Sequence, residues 1–267
     1  MHLMLLTGRR NMINIDVSDM EWYKDYRLKF MEETDSTNAE IRRLVSAGEN
    51  GDKLLLWTGY QWAGRGQTGN SWESEKGKNL LFTLCVKPCF LVPKEQFLLS
   101  EAVSLAVCKA LNKITPGFTV KWPNDIYFAE KKICGILIEH VLTSSRISQS
   151  YIGVGINVNQ RQFLSDAPNP VSLFQIMYQE MDLKSLLCAF LCCFDDCYAM
   201  LRHGEKETIR IAYREKLFRR EGMFTFRDKD GDFIAEIADV LPDGQLVLTD
   251  QKGRVRCYMF KEVEYVL

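Results

Sequence analysis

The sequence predicts an α+β fold, with a mixed sheet and helices followed by a small all-β domain. Over roughly the first 220 residues, short apolar runs of strand length alternate with segments of helical periodicity. From Glu221 onward, short strands are separated by the glycine turns DKDGD, LPDGQ and DQKGR, at intervals typical of a small barrel. We therefore divide the chain into residues 1–220 and residues 221–267.

The first half of the larger domain is predicted to run strand, helix, strand, loop and strand. The segments are an entry strand from about Tyr26 to Glu33, a helix within DSTNAEIRRLVSAG, a strand at Lys53 to Gly59 and a strand at Asn79 to Val86. Thr37 is expected to cap the helix, with Glu40 completing a capping box. Apolar residues at helical spacing then supply the face that packs on the sheet.

The second half of this domain is predicted to begin with a long helix and to continue as a run of strands. The helix extends from Pro93 to Ile114, with proline at its start. The strands are Phe118 to Trp122, Asp125 to Phe128, Lys132 to Val141 and Ser150 to Val158, and one or two helices follow between Leu183 and Leu217.

Composition excludes several functional classes. The chain has 267 residues, of which 46% are apolar, so a sizeable core can form. A net charge of −1 gives no broad cationic surface for nucleic acid. No apolar run approaches the ~20 residues of a membrane span, and the opening segment lacks the charge pattern of a secretory signal. The nine cysteines lack the spacing of a disulfide scaffold, so we expect a cytoplasmic protein with reduced thiols.

Four of the cysteines cluster in LLCAFLCCFDDCYAM. On a helix, Cys188 and Cys192 share one face, and so do Cys193 and Cys197. Zinc sites usually use a C-x-x-C pair, and none is present. We interpret the cluster as small buried apolar side chains, with a metal site as the alternative. The three histidines are scattered and suggest no nucleophilic triad.

The stretch from Gly64 to Gly69 has the spacing G-x-G-x-x-G. In a dinucleotide-binding turn, a helix must follow these glycines and hold the pyrophosphate at its N-terminus. Here a polar segment and then a strand follow, which argues against NAD binding. Protein kinases place such a loop between strands, but their V-A-I-K, H-R-D and D-F-G motifs are missing. A turn-rich surface loop remains the simple alternative.

Two further stretches contain glycine inside apolar strands. They are KWPNDIYFAEKKICGILIE, with Gly135, and YIGVGINVN, with Gly153 and Gly155. A glycine within a strand often marks the close approach of a ligand. A turn followed by a solvated hairpin is the alternative for the first stretch. We predict a small ligand that lies across the sheet.

The sequence resembles the biotin protein ligases. The motifs DSTN, GRGQTGNSW, KWPNDI, KKICGILIE and GVGINVN occur in that order, and the resemblance extends from about Arg27 to the end. It implies a catalytic domain like that of class II aminoacyl-tRNA synthetases and an SH3-like C-terminal β-barrel. It also implies that biotin and ATP, with Mg²⁺, form biotinyl-5′-adenylate, and that biotin then passes to a lysine of a biotin carboxyl carrier protein or domain.

The resemblance assigns roles to particular residues. Cations must neutralise the biotin carboxylate and the triphosphate, and the catalytic candidates are Arg65, Lys121, Lys132 and Asp125. The biotin-binding candidates are Ser36, Thr37, Asn38, Gln61, Gly64, Arg65, Gly66, Gln67, Lys132, Gly135, Gly153 and Gly155. The ATP and adenylate candidates are Arg65, Trp72, Asn124, Lys132 and Asn157. No firm metal ligands are assigned; Mg²⁺ is expected through the nucleotide phosphates, with Asn124, Asp125 and Asn157 as oxygen partners.

One residue departs from the family pattern. Many members carry arginine after the second loop glycine, where this chain has Gln67. Glutamine keeps the capacity for hydrogen bonds and loses the charge, so we expect weaker retention of the adenylate, with compensation by another cation as the alternative. A lipoate–protein ligase and a non-catalytic binding module of the same fold are the alternatives. About 25 residues precede the resemblance, so we expect a monofunctional ligase without a DNA-binding domain. A homodimer through an edge strand is compatible with the pattern.

Overall fold

A computed structural model describes residues 12–13, 25–67, 69–165 and 167–267. Its larger sheet has eight strands in the spatial order 1-2-3-4-8-7-6-5. Strands 2 and 3 are parallel and the other neighbours are antiparallel, so the sheet is mixed. The strands are β1 (Met12–Ile13), β2 (Arg27–Met31), β3 (Leu54–Thr58), β4 (Leu80–Val86), β5 (Phe118–Lys121), β6 (Asp125–Phe128), β7 (Lys131–Leu142) and β8 (Ile147–Ile156).

Helices cover both faces of this sheet. They are α1 (Thr37–Ser46), α2 (Phe97–Asn112), α3 (Leu173–Met177), α4 (Leu183–Arg202) and α5 (Lys206–Glu215). Successive strand residues point to opposite faces, and Leu54 and Leu56 pack with Ile41 of α1, whereas Leu55 joins the main core with α2 and α4. The sheet therefore has α1 on one face and the α2–α4 layer on the other.

A second, antiparallel sheet is formed by the C-terminal residues. Its spatial order is 12-11-10-9-13, and its strands are β9 (Phe224–Asp228), β10 (Gly231–Val240), β11 (Leu246–Asp250), β12 (Val255–Tyr258) and β13 (Glu264–Tyr265). The turn at Gly244 has a φ of 95°, a conformation that favours glycine. Its carbonyl accepts a hydrogen bond of 2.9 Å from Trp122 Nε1, and Phe260 packs on Trp122 and Phe97. The second sheet thus contacts the KWPND turn directly.

The mixed sheet, its helices and the second antiparallel sheet confirm the coarse α+β prediction. The predicted capping box at Thr37 and Glu40 is wrong. Ser36 is the N-cap residue of α1 and Thr37 is the first helical residue. The Thr37 backbone N–H and hydroxyl both donate to Gln61 Oε1, at 2.7 and 3.0 Å, and Glu40 instead pairs with Arg43. The tertiary contact with Gln61 replaces the local cap.

Two other elements differ from the sequence prediction. The residues from Pro93 to Glu95 form a 3₁₀ turn, and α2 begins only at Phe97. The short helix α3 was not predicted, although Ser172 and Gln175 form a capping box at its start. The S-x-x-Q pattern is the signal that could have shown it.

The cysteine cluster lies on α4. Cys193 and Cys197 are buried there, whereas Cys192 is exposed. Within the described ranges, no group of His, Cys, Asp and Glu side chains is arranged to hold a metal ion, and no helix is both long and apolar enough to cross a bilayer. The opening segment, with His2, lies outside the described residues.

Candidate active site

The glycine loop connects β3 directly to β4, so the element after the loop is a strand. The loop closes on itself, since Gly66 N–H donates to Asn70 O at 2.8 Å and Trp72 N–H donates to Gly64 O at 3.0 Å. A Cβ at Gly64 would lie 2.8 Å from the Trp72 carbonyl oxygen, so the close pairing requires glycine there. The strand–loop–strand order confirms that this is not a dinucleotide-binding turn.

The indole of Trp72 lies flat against the sheet over two strand glycines. A Cβ at Gly155 of β8 would lie 2.7 Å from Trp72 Cε2, and a Cβ at Gly135 of β7 would lie 2.9 Å from Cζ3. We expected a ligand to use the space at these glycines, and the structure fills it with a protein side chain. The indole therefore forms a half-buried aromatic platform on which a planar base can pack.

A lysine and a carboxylate adjoin this platform. Lys132 Nζ lies 2.7 Å from the Asp125 carboxylate and 5.8 Å from the centroid of the Trp72 ring. Asp125, at the start of β6, is paired in register with Gly135 of β7. The ion pair holds the ammonium beside the indole, so three predicted site residues form one cluster. Arg65 is exposed on the loop, where its guanidinium faces solvent.

Lys121 lies next to this cluster, at the junction of the two sheets. It is paired in register with Asp125, and its Nζ donates to the Tyr127 hydroxyl at 3.1 Å. The rings of Tyr127 and Tyr265 lie 4.9 and 5.2 Å from the ammonium. Burial lowers the pKa of Lys121, and the Asp125 charge opposes this shift. The structure thus gives Lys121 aromatic contacts that its sequence position did not indicate.

Three of the residues predicted to bind biotin form a buried cluster of polar side chains at the start of α1, which we call the polar pocket. Ser36, Thr37 and Asn38 are each at most 5% exposed. Thr83 Oγ1 of β4 lies 2.8 Å from Thr37 Oγ1 and 2.6 Å from Asn38 Oδ1. A Cβ at Gly153 would overlap Asn38 Oδ1, so this glycine makes room for the asparagine. Hydroxyl and amide groups in such a pocket match a cyclic urea, which needs donors and acceptors.

Three residues that support this pocket were missed in the sequence. Glu139 Oε2 accepts a hydrogen bond of 2.9 Å from Asn38 Nδ2, and its other oxygen pairs with Arg42. The second is Asp35, whose carboxylate accepts a hydrogen bond from the Ser36 N–H. The hydrogen bond from Arg43 is the main cause that lowers the pKa of Asp35. The third is Thr83, and its signal was a polar residue within the apolar run NLLFTLCV.

Asn157 presents an unpaired acceptor on the same strand face as Gly155. Its Nδ2 donates to Val171 O at 3.2 Å, and it is 3% exposed. Its Oδ1 is buried and has no hydrogen-bond partner among the described residues. An unsatisfied buried acceptor costs about 1–3 kcal/mol, so a ligand donor or a cation would stabilise this site. Asn124, in contrast, uses its amide to donate to Ile136 O within the KWPND turn.

Gln67 faces the junction between the loop and the second sheet. With Asn124, His140, Asp243 and Phe260 it lines a cleft of about 140 Å³. Its backbone carbonyl accepts a hydrogen bond of 3.0 Å from Asn70 N–H, which closes the loop tip. The position expected to carry arginine therefore borders an open space rather than a packed core.

Two glycines on one face of β8 set the parts of the site side by side. Gly153 adjoins Asn38 of the polar pocket and Gly155 adjoins Trp72 of the aromatic platform. These glycines are two positions apart on β8, so the two parts are about 7 Å apart on one face of the sheet. The arrangement can hold a polar head group and a planar base together, next to the Lys132 ammonium.

Known proteins resemble this chain in sequence and in fold. The sequence model of the Biotin/lipoate A/B protein ligase family matches residues 30–157. The Bifunctional ligase/repressor BirA of Bacillus spizizenii is 30% identical over 206 residues, which is 74% of this chain and 62% of that protein. The Biotin--[acetyl-CoA-carboxylase] ligase of Mycobacterium tuberculosis is 30% identical over 156 residues, 56% of each chain. The chain thus spans at most about three-fifths of the length of these relatives.

A solved structure has the same fold as this chain. The biotin protein ligase from Aquifex aeolicus in complex with biotin and ATP superimposes with a TM-score of 0.75 and 23% identity, covering 90% of this chain and 99% of that one. At this identity the similarity shows the fold alone. The chain is therefore similar in sequence to the biotin/lipoate A/B protein ligase family and shares the fold of biotin protein ligases.

Proposed function

We propose that this chain is an ATP-dependent biotin protein ligase. It activates biotin as biotinyl-5′-AMP and transfers biotin to a specific lysine of an acceptor, such as the biotin carboxyl carrier domain of acetyl-CoA carboxylase. The observation that carries the proposal is the buried polar pocket at Asn38 beside the Trp72 platform and Lys132, on one face of the sheet. The relatives named as biotin ligases and the fold shared with a biotin and ATP complex support it.

The first step joins two anions. A biotin carboxylate oxygen attacks the α-phosphorus, a new P–O bond forms, and the bond to the β-phosphate breaks to release pyrophosphate. The Lys132 ammonium, held at 2.7 Å by Asp125, and the exposed Arg65 guanidinium are the cations that offset the charge that builds on the phosphate. The pocket and the platform hold the two reactants next to each other, which replaces a costly encounter in solution.

The second step transfers the acyl group. The acceptor lysine amine attacks the biotinyl carbonyl, an amide bond forms, and AMP leaves with the electrons of the acyl–phosphate bond. Asp125 is our candidate to orient the incoming amine or to receive its proton. An Asp125→Asn enzyme that transferred biotin from preformed adenylate at the full rate would exclude this role.

Magnesium fits the oxygen donors that lie at the nucleotide end. The unpaired Oδ1 of Asn157 and the carboxylate of Asp125 are the kind of ligand that Mg²⁺ prefers. Because Asp125 is already paired with Lys132, we expect the phosphates to provide most of the coordination. Bound Mg²⁺ would supply further neutralisation of the triphosphate.

The finer architecture and the partners belong to this proposal. Residues 1–220 form the catalytic domain, of the class II aminoacyl-tRNA synthetase type, and residues 221–267 form an SH3-like barrel domain. The nine free thiols suit a reducing cytoplasm. The pairing of β7 with β6 ends at Gly135, and β7 continues to Leu142 with Val141 and Leu142 exposed. The part of β7 that extends beyond its pairing with β6 supports docking of the acceptor protein or of a second copy of the chain. Binding to DNA is not expected.

One assay tests the proposed function. The chain is incubated with ATP, Mg²⁺ and either biotin or lipoate, and pyrophosphate is followed. Release with biotin alone, and biotin transfer to an added carrier domain, are the expected results. Release with lipoate alone would make the chain a lipoate–protein ligase, and no release with either would make it a binding module.

A further inference from the structure

The segment that follows Trp72 is held by residues from a distant part of the chain. Glu73 and Asn79 bond to Gln160, which lies beyond β8 at a separation of 87 and 81 residues. We call Glu73, Asn79 and Gln160, with the backbone of Leu164 and Ser165, the Gln160 clamp. Trp72 is therefore attached to Gly64 on one side and to the clamp on the other.

Gln160 is the centre of this clamp. Its side-chain carbonyl accepts from the Glu75 N–H at 3.1 Å and from Asn79 Nδ2. Its Nε2 donates to Glu73 Oε1 at 3.1 Å and to Gln162 O at 2.9 Å. All four hydrogen-bonding positions of the amide are used, and the residue is 1% exposed. A buried amide with every position satisfied has one orientation, so it fixes the groups bonded to it.

Glu73 connects the other side of the clamp. Its Oε1 accepts from the Leu164 N–H and its Oε2 from the Ser165 N–H, both at 2.8 Å. Burial alone would raise its pKa, but the bonds from Ser165, Leu164 and Gln160 outweigh burial and the pKa of Glu73 is lowered. The carboxylate is thus ionised at neutral pH and bound by several donors. Hydrogen bonds to a charged group are the stronger kind.

The clamp continues into the strand that carries the site. Asn79 Oδ1 accepts from the Val158 N–H at 3.0 Å. The Ser172 hydroxyl donates to the backbone carbonyl of Gln160 at 2.6 Å. The glycine loop is therefore joined to the end of β8, the strand that also carries Gly155 beneath the indole. The same network of hydrogen bonds therefore holds both the Trp72 indole and the strand that carries the glycine beneath it.

We infer that Gln160 and Glu73 are positioning residues that hold the Trp72 indole over Gly135 and Gly155, ready for the nucleotide base. Neither side chain is one that we place in contact with a substrate; both act through Trp72. The inference rests on the proposed function, since the base is that of ATP.

The decisive variant is Gln160→Glu. It places a carboxylate oxygen where Nε2 now donates to Glu73, so two anions face each other at hydrogen-bond distance. We expect KM for ATP to rise about tenfold to a hundredfold, with KM for biotin unchanged. The double variant Gln160→Glu with Glu73→Gln removes the contact between two anions and restores one donor–acceptor pair, so it is expected to recover part of the loss. Glu75→Gln, an exposed side chain in the same loop, is the matched control and should leave both constants unchanged.

A second readout does not depend on catalysis. In a chain labelled with 5-fluorotryptophan, the ¹⁹F signal of Trp72 is identified by its loss in Trp72→Phe. Gln160→Glu should shift or broaden this signal and leave that of Trp122 in place. An unmoved Trp72 signal, or equal rises in the KM for ATP and for biotin, would overturn the inference. A wild-type chain that released no pyrophosphate would refute the proposed function, and the ¹⁹F comparison would still decide the role of the clamp.

Discussion

Replacing Gly155 with alanine should separate nucleotide binding from biotin binding. The added methyl group would lie 2.7 Å from Trp72 Cε2, 2.8 Å from Nε1 and 3.0 Å from Cζ2. To reach ordinary van der Waals contact, the indole must move away by roughly 0.7 Å or more. Gly155 lies in the central strand β8, flanked by β4 and β7, so the loop that carries Trp72 has to move instead.

The size of the effect follows from overpacking. Extra methyl groups in a packed site typically cost about 1–3 kcal/mol, which corresponds to roughly fivefold to 150-fold in an equilibrium constant. We expect KM for ATP to rise within this range. Since the change leaves the pocket at Asn38 untouched, KM for biotin should stay near the wild-type value.

Gly153→Ala is the matched comparison, with the same chemical change two residues earlier. Its methyl group would overlap Asn38 Oδ1 and lie 3.1 Å from Asn38 Cγ. We expect this variant to raise KM for biotin and to leave KM for ATP nearly unchanged. Pyrophosphate release at varied ATP and varied biotin measures both constants, and thermal unfolding shows whether each variant is folded. If the two variants raised the same constant, our placement of the two half-sites would be wrong.

Three other substitutions test separate parts of the site and core. Lys132→Gln should lower adenylate formation by about 10²–10³-fold, because it removes a cation beside the developing charge; near-normal pyrophosphate release would contradict this. Gln67→Arg should slow escape of biotinyl-adenylate by about tenfold, measured as biotinylation of bystander proteins, and an unchanged bystander signal would count against it. Burial of Glu101 raises its pKa to about 8, with Arg210 and Arg214 opposing. Because the pKa is raised in the folded state, the fold has its full stability at pH values below the unfolded-state pKa of about 4.5. This stability is lost as the pH rises toward 8 and the buried carboxyl group ionises. The free energy of unfolding of Glu101→Gln should therefore exceed that of the wild type by about 4 kcal/mol at pH 8 and match it near pH 4; thermal unfolding at both pH values checks it.

Local patterns in the sequence were sufficient for the order of the strands from β2 to β8. The apolar runs and their glycine and proline boundaries predicted β3 through β8 to within a few residues. The same order excluded a dinucleotide-binding turn, because β4 follows the glycine loop. These predictions succeed since each depends on residues that are neighbours along the chain.

Contacts between distant residues could not be predicted in this way. Thr37 was expected to cap α1, but its hydroxyl is used by Gln61, which is 24 residues away. The glycines of β7 and β8 signalled a close approach, and only the structure shows that Trp72 and Asn38 make it. The partnership of Glu73 with Gln160 has no local pattern at all, because each reads as an ordinary polar loop residue.

The hydrogen bond from Trp122 to the Gly244 carbonyl has a consequence for deletion experiments. The bond joins the KWPND turn, which ends at Asp125, to the second sheet. Removing that sheet would take away both the carbonyl that accepts from the Trp122 N–H and the Phe260 ring that packs on the indole, and the turn would lose a support worth about 1–3 kcal/mol. A chain truncated before Phe224 should therefore fail at ATP chemistry itself. The loss of activity in this truncated chain would then result from damage to the KWPND turn and not from the loss of a surface that binds the acceptor.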